Sequence, residues 1–184
     1  MIAGKPWFAF FSHTGSEIVG IVRDNNIKPD CIVTNKSPGD PQINPDVLKI
    51  QTQFKYTGKH PSVSDYDTLL SECDLDCFCT LHGWMKIIPE EICNDYEIYN
   101  LHPGLITRYP ELKGKDPQAR AHDSDKYSDV GVVIHQVIPA VDEGDILIEL
   151  NEPHPGGDPT CCLKDLARLA WNQFFQQRIT REQP

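Results

Sequence analysis

The chain has no apolar run near the roughly 20 residues that a membrane-spanning helix needs. Its longest, such as Trp7-Phe8-Ala9-Phe10-Phe11, stop far short of that, and Met1 to Gly4 has no signal-peptide layout. Basic charge is scarce: 27 acidic residues against 17 basic ones leave a net charge of −10, which disfavours nucleic acid as a partner. Zinc-type spacings are missing. Among 7 cysteines, Cys73, Cys77 and Cys79 fall close together and Cys161-Cys162 are adjacent, yet no Cys-x2-Cys or His-x3-His pair accompanies them. No metal is therefore expected, and Cys77 and Cys79, alternating along an apolar run, read as buried strand residues. The odd count argues against a complete disulfide framework and suits a reducing compartment, so a cytoplasmic protein is expected. Internal repeats, low-complexity tracts and inter-domain linkers are lacking too.

What remains is a globular composition, with 39% apolar and 9% aromatic residues over 184 positions, enough for one domain spanning 1–184 with a core able to hold a pocket. Trp7 to Phe11 reads as a strand, Ser12 to Ser16 as a turn, and Ile18, Ile21 and Val22 mark a helix ending near Asn25-Asn26. Cys31 to Thr34 is a second strand between Lys28-Pro29-Asp30 and Ser37-Pro38-Gly39, completing a βαβ unit and implying a parallel sheet. A short helix and strand are expected within Val47 to Phe54, a helix over Tyr66 to Ser71, and strands over Asp76 to Leu81 and Glu97 to Asn100. Gly131 to Val137 and Asp145 to Leu150 read as a strand and a returning strand around a loop through Asp142. The last helix starts at Asp158-Pro159, with proline suited to its first position, and Leu163, Leu166, Leu169, Ala170 and Phe174 form its inward stripe.

In an open parallel sheet the ligand crevice lies beyond the carboxyl ends of the strands. Three turns fall there: Ser12 to Ser16, His82 to Trp84, and Asn100 to Gly104. Asn100 and His102, two apart on an extended backbone, face the same side, so an amide donor and an imidazole share one volume. A carboxylate from Asp142 would complete a donor, an acid–base group and an orienting charge. Such a set suits attack of an amine on a carbonyl carbon. On spacing alone, a turn histidine before Pro103 and a solvated Asp142-Glu143-Gly144 turn account for the same residues.

The run Asn100-Leu101-His102-Pro103-Gly104, then Lys113-Gly114, then Val132 to Val137 leading into Val141-Asp142-Glu143-Gly144, resembles the signature of the 10-formyltetrahydrofolate-dependent formyltransferases. Gly83-Trp84-Met85-Lys86-Ile87-Ile88 is similar to the segment that lines the pterin pocket in that family, and Thr34-Asn35-Lys36 ends the second strand in the same way. The resemblance spans most of the chain. It implies an α/β, Rossmann-like formyltransferase fold with a mainly parallel sheet flanked by helices. It also implies transfer of a formyl group from 10-formyltetrahydrofolate, a co-substrate, to a primary amine, with no metal.

Carried onto this sequence, the resemblance gives Asn100 and His102 the formyl oxygen and the tetrahedral intermediate, with protonated His102 as an oxyanion partner. Asp142 fixes His102 and manages the proton, and His135 supports. Met85, Lys86, Ile87, Ile88 and Val141 would hold the pterin, and Gly15, Ser16, Pro103 and Gly104 the acceptor. The length matches members acting on glycinamide ribonucleotide. An amino sugar nucleotide or modified nucleotide acceptor is the alternative, and a non-catalytic folate binder a second one. Three departures bear on the acceptor: Glu17 follows Thr14-Gly15-Ser16 where the family has asparagine beside a bound phosphate, Gly104 to Leu112 is extended, and Trp171 takes the place of an acidic substrate contact. A monomer or homodimer is expected, with Tyr109, Tyr127 and Trp171 as exposed aromatics.

Overall fold

The computed structural model describes residues 2, 4–71, 76–123 and 125–180. Trp7–Phe11 forms β1 and Cys31–Thr34 forms β2, both buried along their whole length, as expected where helices cover both faces of a sheet. Gln53–Tyr56 (β3), Phe78–His82 (β4), Glu97–His102 (β5), Asp129–Gln136 (β6) and Ile146–Pro153 (β7) complete the sheet. Its order is β3-β2-β1-β4-β5-β6-β7. The pairings from β3 to β5 are parallel, whereas β6 and β7 run antiparallel to their neighbours. The chain builds outward from β1 in one direction and then, from β4, in the other. The point of reversal lies between β1 and β4, where Phe11 pairs with His82.

Alternation along β1 divides the core in two. Trp7, Ala9 and Phe11 face the helices Ser16–Asn25 (α1) and Thr160–Thr180 (α5), meeting Ile18, Ile21, Leu163, Leu166, Ala170, Trp171, Phe174 and Phe175. Phe8 and Phe10 face the other layer with Val63–Leu70 (α2) and Glu90–Asp95 (α3), meeting Tyr66, Leu70 and Ile92. A short helix, Pro117–Arg120 (α4), follows the long connection after β5. Helix boundaries have local causes. Asn26 takes the left-handed conformation (φ 52°) after α1. Ser62 and Asp65 form a reciprocal capping box before α2, and Asp158 Oδ1 accepts from the Thr160 amide at 2.9 Å before α5.

Four expectations need correction. Leu169 is 55% exposed, because at 100° per residue it lies off the stripe formed by Leu163, Leu166, Ala170 and Phe174. Trp171 and Tyr127 are buried rather than exposed. Trp171 packs into the aromatic cluster with Phe174 and Phe175, and Tyr127 meets Tyr109 edge-on at 5.0 Å. Cys77 is buried but precedes β4 and is disulfide-bonded, while Cys31, Cys79, Cys93, Cys161 and Cys162 are free. Cys73 lies outside the described residues.

The loop between β6 and β7 begins after a register shift at Ile134/His135 and closes with the Gln136 amide donating to the Asp145 carbonyl at 2.9 Å. Gly144 sits inside that closure, and a Cβ there would fall 1.9 Å from the Gln136 carbonyl oxygen. Gly144→Ala should therefore destabilise the fold by about 2 kcal/mol or more, because the obstacle is backbone. Denaturant unfolding checks this, and an unchanged midpoint would show that the loop opens without cost.

Candidate active site

Beyond the carboxyl ends of β4 and β5 lies a cavity of about 840 Å³. Part of its lining is apolar: Met85, Ile87 and Val141 stand 54%, 74% and 52% exposed around it, and buried Ile88 also reaches it. Side chains of this kind left uncovered at the rim of a cavity suit a flat, largely apolar ring system. Lys86 also lines the cavity. The segment is pinned at its start, where the Met85 amide donates to Ser12 Oγ at 2.9 Å, linking it to the end of β1. Gly83 has φ 62°, and a Cβ there would approach His13 Cδ2 to 3.0 Å, so glycine permits both the turn and the neighbouring imidazole.

Polar groups line the same cavity. Asn100, His102, His135 and Asp142 all reach it. The i, i+2 pair on β5 points one way as expected, and Asn100 stands opposite His135 in the sheet. Asp142 is the hub: Oδ2 lies 3.3 Å from His102 Nδ1 and accepts the Gly114 amide at 2.8 Å, while Oδ1 lies 3.4 Å from His135 Nε2. Asp142 itself adopts φ 56°, a left-handed conformation that disfavours side chains, which these contacts hold in place. Burial pushes its carboxyl up, but the His135 ring in its protonated form, the Gly114 amide and the positive charge that His102 and His135 can take up outweigh that and leave it below the usual range.

Tautomers follow from the hydrogen bonds each ring makes. His102 Nε2 is hydrogen-bonded to the Leu112 carbonyl at 2.9 Å, whereas Nδ1 and Asp142 Oδ2 stand at an ion-pair distance of 3.3 Å, so the neutral ring keeps its hydrogen on Nε2 and a second one, on Nδ1, would face Asp142. Burial pushes the His102 pKa down, and the attraction of Asp142 offsets this only in part. The resting ring is thus biased toward neutral. His135 Nδ1 faces the Gln136 carbonyl at 2.9 Å, leaving Nε2 to accept from Asn100 Nδ2 at 3.2 Å. That bond sets which way the Asn100 amide points.

The acceptor side differs from expectation. Pro103 lines the cavity, but Gly15 and Ser16 do not. Gly104 lies behind His102, where a Cβ would come within 3.1 Å of Nε2. The Ser16 hydroxyl is engaged by Thr14 and by Asn44 Nδ2, at 3.0 and 2.9 Å. Glu17 Oε2 lies 2.7 Å from Nδ1 of His82, whose side chain is fully buried. The chain continues through Thr80 Oγ1, 2.7 Å from His82 Nε2, to the Trp7 indole, which donates to Thr80 at 2.7 Å. With Nδ1 protonated and Nε2 accepting, every link has one donor and one acceptor. Trp171 packs against His82 with the rings tilted by 49° and their centroids 4.7 Å apart. Sequence reasoning missed the Glu17–His82 pair and His13, since no spacing signal joins positions brought together by sheet pairing.

No group of three or more His, Cys, Asp or Glu side chains suited to a metal occurs among the described residues. No helix among them is long and apolar enough to cross a membrane.

Residues 15–153 match the formyl transferase family, and the chain belongs to it. It is 26% identical to the trifunctional purine biosynthetic protein adenosine-3 of Homo sapiens over 184 residues, covering 89% of this chain and 17% of that protein. It is 30% identical to a phosphoribosylglycinamide formyltransferase of Dictyostelium discoideum over 80 residues, 40% of this chain and 39% of that one. The chain thus spans well under half the length of these relatives. In fold it is similar to the phosphoribosylglycinamide formyltransferase of Streptococcus pneumoniae TIGR4, with a TM-score of 0.74 at 20% identity, covering 96% of this chain and 98% of that one.

The buried His82 N–H makes Glu17 testable. Glu17→Ala leaves that donor without its partner and should cost about 1–3 kcal/mol, whereas Glu17→Gln keeps an acceptor and should cost less than about 1 kcal/mol. Equal losses in denaturant unfolding would show that the pair contributes nothing specific.

Proposed function

We propose that this protein transfers a formyl group from 10-formyltetrahydrofolate to the primary amine of glycinamide ribonucleotide. The observation that carries the proposal is the convergence of Asn100, His102 and Asp142 on a cavity that is also lined by exposed Met85, Ile87 and Val141. Met85, Lys86, Ile87, Ile88 and Val141 would hold the folate. When bound, the folate supplies the formyl carbon: a carbon–nitrogen bond forms to the acceptor amine, the bond to the folate nitrogen breaks, and the amine proton is returned to that nitrogen.

The chain's own groups divide the remaining work. The Asn100 amide, oriented by His135, has a second N–H free to meet the oxygen on which negative charge develops. Neutral His102 accepts a proton at Nδ1, and the proton then lies between the imidazole and Asp142, which stabilises the cation. Proton acceptance requires His102 to be neutral, so activity falls as pH drops through its pKa. Because burial lowers that pKa, the acid limb of kcat/KM should lie below the ordinary histidine value of about 6.5.

One feature favours a different acceptor. Glu17 places a carboxylate at the start of α1, where backbone N–H groups would otherwise receive a phosphate, and that disfavours a phosphomonoester at this position. An amino sugar nucleotide or a modified nucleotide, binding elsewhere by its phosphates, meets no such opposition. Formylation of glycinamide ribonucleotide measured alongside a panel of such amines decides between them. Transfer to no amine while folate still binds would overturn the enzymatic proposal.

Asp142→Asn should lower turnover by ~10²-fold or more with folate binding kept, because the amide neither accepts a proton nor stabilises imidazolium. Near-normal turnover removes Asp142 from the chemistry. Asn100→Ala and His102→Ala should be less than additive, because both act on one reacting centre. A double variant whose loss equals the sum of the single losses in free energy contradicts a shared site.

A further inference from the structure

The long connection after β5 does more than enclose the cavity. Arg120, at the end of α4, donates from Nη2 to the Leu112 carbonyl at 3.0 Å and to the Lys113 carbonyl at 2.8 Å, and from Nη1 to the Glu111 carbonyl. Three successive carbonyls of one loop are therefore gathered by a single planar fork. The middle one, Leu112, is the carbonyl that accepts from His102 Nε2. The same loop supplies the Gly114 amide to Asp142, and Lys113 pairs with Glu143, the next residue, at 2.7 Å. The loop thus touches both members of the acid–base pair, and Arg120 determines where its carbonyls lie.

We infer that Arg120 is a positioning residue for the formyl-transfer reaction, holding the Leu112 carbonyl where it fixes His102 as the Nε2–H tautomer with Nδ1 free to take a proton. The inference rests on the proposal that His102 is the proton-accepting group. Two effects act together. A carbonyl already bonded to a guanidinium has both lone pairs in use and less charge to offer an imidazolium. The guanidinium also repels positive charge on the ring, in the same sense as burial and His135 and opposite to Asp142. Asp142 from the β6–β7 loop, His135 from β6 and Arg120 from α4 are the charged or titratable groups acting on His102, and Lys113 is paired with Glu143. Arg120 is an exposed residue, so its charge effect is modest and weakens with salt. The carbonyl geometry is the larger contribution.

The test reads His102 directly and does not depend on turnover. In protein labelled with ¹⁵N-imidazole, the His102 signals are assigned by their loss in His102→Gln. The wild type is expected to show the Nε2–H tautomer above its pKa. Arg120→Gln should populate the Nδ1–H tautomer and raise the His102 midpoint by ~0.3 pH unit or more at low salt. Arg120→Lys keeps the charge but loses the fork, so the midpoint should stay nearer wild type while the tautomer still shifts. In parallel, kcat should fall ~10-fold in both variants with little change in the KM for folate, and the acid limb should move to higher pH only in Arg120→Gln. An Nδ1–H tautomer in the wild type overturns the inference even if neither variant folds. So does an unchanged tautomer and midpoint in folded Arg120→Gln. A shifted tautomer in a protein that forms no formylated product leaves Arg120 as the residue that positions His102 and counts against the formyl-transfer proposal alone.

Discussion

The site depends on one carboxylate with more partners than its position in a loop would suggest. Asp142 meets His102, His135 and the Gly114 amide from three separate parts of the chain. β5 presents His102, β6 presents His135, and the loop bearing Gly114 has no strand of its own, so Asp142 joins three elements at one point. A buried carboxylate is tolerated only when its lone pairs are satisfied. The Gly114 amide supplies one such partner and two imidazoles able to take up positive charge supply the rest, so the groups that compensate the carboxylate are also acid–base groups.

The sheet explains why those parts can meet. The parallel strands place their carboxyl ends on one side; β6 runs antiparallel, with Gln136 opposite Tyr99, so the β6–β7 loop leaves the sheet toward the amino end of β5 and turns back past His135 to bring Asp142 to His102. Gly144 allows the loop to pass against the Gln136 backbone, and Asp142 then turns inward in a left-handed conformation. A longer side chain at the first position or a regular hairpin at the second would aim the carboxylate away from β5.

Much of the fold was legible in the sequence. The fully apolar runs at Trp7–Phe11 and Cys31–Thr34 coincide with β1 and β2, because strands buried on both faces need no alternation to be read. The Asn100–His102 pair was legible because strand periodicity alone places both on one side. Leu169 misled because a leucine beside a stripe counts as part of it until the helix is seen to face one way only. Trp171 and Tyr127 misled because an aromatic residue carries no local sign of whether a second layer covers it. The Glu17–His82 pair and the Arg120 fork were illegible for a different reason: each joins residues whose proximity is created by topology, by neighbouring strand ends in one case and by a loop folding back in the other.

The hydrogen-bonded chain from Glu17 through His82 and Thr80 ends on the Trp7 indole, which is fully buried at the far end of β1. Each link polarises the next. A change in the charge of the Glu17 carboxylate is therefore felt, without any backbone movement, at a buried N–H group. The Trp7 indole resonance, one of 3 in the chain, is thus a reporter of the state of a carboxylate that Trp7 does not itself bond.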